Sequence, residues 1–117
     1  MPGGEPTGRV HFGVARVDLH LPQVGSLKGK RAVLNRLRAT LAAELGVSVA
    51  EVGAQGRWQR AVLGVAVAAS TAGGVDRVLD RLPGVLERDP RLVVLGVRAE
   101  ADTLDVDGGE PLLPPGW

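Results

Sequence analysis

One stretch of this chain alternates apolar and polar residues in steps of two, three others are short runs rich in valine, leucine and alanine, and two more repeat leucine at helical spacing. Their order limits how one small core can be built. From His11 to Leu21, the residues Gly13, Ala15, Val17, Leu19 and Leu21 fall on one side, with Phe12, Val14, Arg16, Asp18 and His20 on the other. That is a strand with one apolar face, closed by Pro22. Ser26 to Leu45 carries Leu27, Leu34, Leu37, Leu41 and Leu45, which predicts a helix with Ser26 as its N-cap and Gly46 as its stop. Val47 to Val52 predicts a second strand, Gly53-Ala54-Gln55-Gly56 a turn or bulge, and Gln59 to Ser70 a third strand whose apolar side is Ala61, Leu63, Val65, Val67 and Ala69. A second helix is expected from Ala72 or Gly73 towards Asp89, through Val75, Val78, Leu79, Leu82 and Leu86. Pro83 has no N–H for the carbonyl four residues back, so a kink or an early end is expected there. Arg91 to Glu100 predicts a fourth strand with Val93, Leu95 and Val97 on one side.

Two helices can cover only one face of a four-stranded sheet. The order strand, helix, strand, strand, helix, strand therefore predicts an α+β chain with the ferredoxin-like α/β plait (βαββαβ), an antiparallel sheet with both helices on one face. The 117 residues allow one such domain and hardly a second. It is expected over residues 10–100, between a Gly- and Pro-rich flexible segment (residues 1–9) and an acidic, Pro/Gly-rich tail (residues 101–117).

Composition removes several function classes. With no cysteine there is no disulfide framework and no thiolate for catalysis or zinc. No run approaches the length of a membrane span, and the N-terminus lacks the charged start and apolar stretch of a signal peptide, so a cytoplasmic protein is expected. Fourteen basic and thirteen acidic residues nearly cancel, but the basic excess lies before Arg60, whereas Asp102, Asp105, Asp107 and Glu110 make the tail acidic. That distribution permits an anionic partner and does not point to DNA.

The densest local cluster is Ser26-Leu27-Lys28-Gly29-Lys30-Arg31. It sets three cations in the first turns of a helix, where the macrodipole favours anions. Lys28, Arg31, Asn35 and Arg38 follow at spacings of three, four and three, forming one ridge. Lys28, Lys30, Arg31 and Arg38 are thus candidate anion- or RNA-phosphate-binding residues; the alternative is a solvated basic flank balanced by the chain's own acids. A second cluster, Trp58-Gln59-Arg60, reads either as an aromatic platform with donors beside it or as a cap on a core poor in aromatics. Asp18 and His20, two apart on one strand, are surface candidates but not a metal or acid–base site by themselves. Neither a P-loop, a Rossmann fingerprint nor a Ser/His/Asp signature is present, and the loop after the first strand lacks the arginine that acylphosphatases use. No catalytic residues, metal or cofactor are expected.

The uncovered sheet face is expected to show Phe12, Val14, Arg16, Asp18 and His20 from the first strand, Trp58, Arg60, Val62, Gly64 and Ala66 from the third, and Val94, Gly96 and Arg98 from the fourth. Apolar area is stabilising when buried, by about 25 cal/mol per Å². Phe12, Val14, Val62 and Ala66 are therefore candidates for contact with a second copy, a homodimer, or with a small ligand.

The segments Val17-Asp18-Leu19-His20-Leu21-Pro22, Ser26-Leu27-Lys28-Gly29-Lys30-Arg31, Val49-Ala50-Glu51-Val52 and Trp58-Gln59-Arg60-Ala61, continued by Leu63-Gly64-Val65-Ala66-Val67, resemble the YlxP-like family of bacterial domains of unknown function. The resemblance covers roughly Gly13 to Glu100. It implies a small cytoplasmic ferredoxin-like protein without an established activity. Genes of such proteins often lie beside those for transcription-termination and translation-initiation factors and a ribosome-binding factor, so the resemblance also implies work with the ribosome or RNA. The chain departs from the family at Gly29, where an acid often completes a capping box with the N-cap, and in its acidic tail. Two functions follow as expectations: a non-catalytic ribosome- or RNA-associated factor, or a homo-oligomeric or ligand-binding module that uses the open face.

Overall fold

The computed structural model describes residues 8–105. The expected N-terminal segment, up to residue 7, and the tail from residue 106 lie outside the described residues. Strand β1 (Val10–His20) leads into helix α1 (Leu27–Leu45), followed by β2 (Ser48–Gly53), β3 (Arg60–Ala69), α2 (Ala72–Glu87) and β4 (Val93–Leu104). The strands form one sheet in the order β2-β3-β1-β4, and all three pairings are antiparallel. This is the ferredoxin-like plait. Among the described residues no helix is long and apolar enough to cross a membrane.

Both helices begin as their sequences dictate. Ser26 Oγ accepts from Gly29 N at 2.9 Å, and Thr71 Oγ1 accepts from Gly74 N at 3.0 Å, so a hydroxyl satisfies one of the orphan donors of each first turn. Gly46, at φ 65°, ends α1 in the left-handed conformation that costs glycine least. Pro83 does not end α2, which runs on to Glu87. Val75, Leu82 and Leu86 of α2 are buried, and that packing holds the helix together past the missing hydrogen bond.

The core lies between the sheet and the helices. Ala15, Val17 and Leu19 of β1 and Ala61, Leu63, Val65 and Val67 of β3 meet Leu34, Leu37 and Leu41 of α1 there. Gly13 marks the closest approach of α2 to β1. A Cβ at that position would sit 2.7 Å from Val75 Cγ1 and 2.8 Å from Leu79 Cδ1, so the glycine lets the helix pack down.

The fourth strand differs from expectation in two ways. It extends four residues past Glu100, because β1 already begins at Val10 and pairs Val10 with Leu104 and Gly13 with Ala101. It also carries a bulge: Asp18 pairs with Gly96 but Leu19 pairs with Val94, leaving Leu95 extra. The bulge breaks the strict alternation of faces. Val94 and Val97 pack on the core, while Val93 and Leu95 are about half exposed, at 48% and 51%. The expected placement of Val94 on the open face, and of Val93 and Leu95 opposite it, is corrected by that one residue.

Candidate anion and nucleic-acid interface

Lys30 is 2% exposed, so it is not one of the surface cations that the Lys28–Arg31 cluster suggested. Its Nζ donates to the carbonyls of Ala54 at 2.8 Å and Arg57 at 2.7 Å, and lies 2.6 Å from Glu51 Oε2. The reason is helical phase. Lys30 stands four residues before Leu34 on the leucine stripe, and Glu51 shares the helix-facing side of β2 with Val49, opposite the core residues Leu63 and Val65. A charge forced inward needs a counter-charge and hydrogen bonds; Lys30 has Glu51 as the first and two carbonyls for the second, while Glu51 Oε2 itself accepts no hydrogen bond among the described residues. Lys30 therefore ties the first turn of α1 to the turn between β2 and β3, where Ala54 adopts a left-handed φ of 56°.

The rest of the basic ridge stays at the surface. Lys28 and Arg31 are exposed and Arg38 is half-buried. Among the described residues none of the three has a carboxylate within ion-pairing distance. Of the counter-charges expected for the ridge, Asp18 pairs with Arg16 at 3.4 Å and Glu44 with Arg88, while the acidic tail from residue 106 lies outside the described residues. Among the described residues Arg36, Arg77, Arg81 and Arg98 are equally without an ion-pair partner. The absence of a counter-charge therefore does not single out a site; convergence on one place does.

That convergence occurs at the end of the sheet where β1 finishes and β3 begins. There an open cleft is lined by His20, Arg57, Trp58, Gln59, Arg60 and Leu95. Cross-strand pairing sets Arg60 directly opposite His20, and His20 opposite Val93. Trp58 is 52% exposed, so it does not serve as a cap buried over the core. Arg57 stands beside it, on the turn that Lys30 anchors. Arg60 Nε is shielded from water without an acceptor among the described residues. Among the described residues no carboxylate lines the cleft.

Gln59 takes a different role from the donor suggested for it. Its Nε2 donates to the carbonyls of Pro22 at 3.3 Å and Val24 at 3.2 Å, holding the β1–α1 loop. Its own carbonyl accepts from Leu21 N at 2.9 Å and from His20 Nδ1 at 3.0 Å. A carbonyl can only accept, so Nδ1 carries the proton and Nε2 of a neutral ring keeps its lone pair. Asp18 and His20 share a face but have separate partners, Arg16 and Gln59. Among the described residues they are part of no cluster of three metal-binding side chains. Arg57 escaped the reading of the sequence, although it stands directly before Trp58 in the run Arg57-Trp58-Gln59-Arg60.

Chemically the cleft offers one large aromatic face, two guanidinium groups and an imidazole. That set suits a ligand combining a planar ring with negative charge. On the open face beyond it, Phe12 and Val14 are exposed beside Ala66, and Val62 is half-buried.

A protein family described as "Protein of unknown function (DUF503)" matches residues 12–99. The chain is also similar to the "Uncharacterized protein YlxP" of Bacillus subtilis (strain 168), with 32% identity over 81 residues, 69% of this chain and 88% of that protein.

Proposed function

The chain belongs to the DUF503 family of unknown function and is similar to YlxP, and on that premise we propose that it is a non-catalytic RNA-associated protein of the cytoplasm, working on single-stranded segments such as those of ribosomal RNA. One observation carries the reading: the half-exposed Trp58 stands between Arg57 and Arg60, neither of them paired with an acid among the described residues. Unpaired bases stack on aromatic side chains, at about 1–3 kcal/mol per base, while flanking cations take the phosphates. Lys28 and Arg31 extend the basic surface, because Lys30 binds their helix turn to the turn bearing Arg57.

The test is binding of single-stranded RNA, and co-sedimentation with ribosomal subunits, across a salt series. Affinity should fall steeply with salt, and Trp58→Ala should weaken it about tenfold or more at every salt concentration. Replacing Arg57 and Arg60 by Ala should reduce the salt slope by about two. No binding at low salt, or equal binding by these variants, overturns the proposal.

A further inference from the structure

The sheet face opposite the helices carries charges on β4 that are unmatched among the described residues, in a pattern that matches itself when turned around. Along the open side of β4 run Gly96, Arg98, Glu100 and Asp102, paired with Asp18, Arg16, Val14 and Phe12 of β1. Arg98 and Arg16 are thus direct neighbours of like sign, and Arg98, Glu100 and Asp102 have no ion-pair partner among the described residues. Further across, the face is small: Gly64 and Ala66 of β3 lie opposite Ala50 and Ser48 of β2 and border a shallow apolar groove.

We propose that a second copy of this chain covers this face, related by a twofold axis that runs across the strands between the Arg98 and Glu100 rows. Rotation about such an axis reverses the strands and keeps each over its counterpart. Arg98 then lies over Glu100 of the second copy, and Glu100 over its Arg98, giving two equivalent ion pairs that also relieve the Arg16–Arg98 crowding. The same operation brings Gly64, with Val52 Cγ1 standing over it, over Ala66 of the second copy, so that the exposed Val52 side chain is covered as well. Leu104 comes over Val93 of the second copy, so residues 52% and 48% exposed in one chain cover each other. An interface of this kind is isologous and closes on itself.

The face is large enough. The eleven residues of β1 at about 3.3 Å each, and four strands about 4.8 Å apart with β2 short, give roughly 600 Å² of projected footprint per copy. Two copies bury roughly 1,200 Å², within the range of specific interfaces. Trp58 and Arg57 precede β3 and lie outside this footprint. Reversal of the strands sets the two clefts at opposite ends of the dimer, where His20 and Arg60 share the outermost row with Val93 and Trp58 stays beyond it, so Trp58→Ala should leave self-association intact.

Sedimentation equilibrium of the full chain tests the proposal, with charge reversal as the probe of register. The wild type should dimerise in the micromolar range. Arg98→Glu and Glu100→Arg should each weaken dimerisation about tenfold or more, because like charges then face each other. The combined R98E/E100R variant should regain wild-type affinity to within about threefold. Val14→Asp should abolish the dimer, with an unchanged circular dichroism spectrum showing that the fold survives. A wild type that stays monomeric overturns the proposal. So does dimerisation that is seen only after truncation beyond Asp105, since the chain's own C-terminal segment would then be the occupant. A double reversal that fails to restore the dimer overturns the register.

Discussion

Lys30 Nζ lies 2.6 Å from Glu51 Oε2, on the side of the sheet that faces the helices and with only 2% of the lysine exposed. The pair joins two elements that are distant in sequence, and the lysine's remaining protons go to two backbone carbonyls of the turn that presents Arg57 and Trp58. A residue that reads by type as part of the binding surface thus supports it from beneath.

Removing one member of that pair strands the other. Lys30→Met leaves the Glu51 carboxylate without its cation and two turn carbonyls without a donor. It should cost about 3 kcal/mol of unfolding free energy, read by urea denaturation. Lys30→Met combined with Glu51→Leu should be less damaging than the sum of the two single changes, with a coupling of about 1–3 kcal/mol. Additive effects would show that the two charges act independently.

Gly13→Ala should destabilise by about 1–3 kcal/mol, because the added methyl would stand 2.7 Å from Val75 Cγ1 and force α2 away from β1. Leu79 can swing aside more easily than the branched Val75, whose χ1 is restricted. Accordingly, Val75→Ala in the Gly13→Ala background should recover part of the loss, measured by thermal or urea unfolding.

Much of this architecture was legible in the amino-acid order, for a simple reason. Where one face is apolar and the other mostly polar, as along Gly13 to Leu21, period two reveals both the strand and its buried side. Ser26 and Gly46 were equally readable as caps. Leu92 to Val97 is a different case, because all six residues are apolar or glycine. Such a run has no periodicity from which a one-residue bulge at Leu95 could be read. Lys30 was misplaced by residue type, although its spacing to Leu34, Leu37 and Leu41 set it on the apolar stripe and Glu51 alternates with Val49 on the inner side of β2. The cleft depends on contacts between distant segments, and no local pattern announces that Gln59 secures the loop after β1 while Trp58 stays outside.

Asp89 gives the fold a pH dependence of known sign. Hydrogen bonding from Arg91 holds its carboxyl below the usual carboxylate value of 3.8, against the opposing effect of burial. Arg91 N donates to Asp89 Oδ1 at 3.0 Å and Arg91 Nε donates to the same oxygen at 2.9 Å. A depressed carboxylate pKa contributes stability above the unfolded value and loses it as pH falls through the folded value. Asp89→Asn should therefore cost about 1 kcal/mol above about pH 5, a figure discounted because Arg91 is partly exposed. The gap between variant and wild type should close as the pH drops below 3.8. Urea titrations at stepped pH give the measurement, and a gap that stays constant into strong acid would show that Asp89 acts through packing.

Gln59 separates loop anchoring from ligand contact. Its side chain donates to the carbonyls of Pro22 and Val24, while its backbone carbonyl independently receives Leu21 N and His20 Nδ1. Gln59→Ala removes only the first pair of bonds. It should cost about 1 kcal/mol, because the freed carbonyls lie near the surface and can turn to water. Amide hydrogen exchange should quicken across residues 23–26 while the Leu21 amide keeps its protection, since its acceptor is main chain. RNA affinity should move much less than in Trp58→Ala. If Gln59→Ala abolished binding as completely as loss of the tryptophan, the position of the β1–α1 loop, and with it the start of α1, would be the feature that RNA reads.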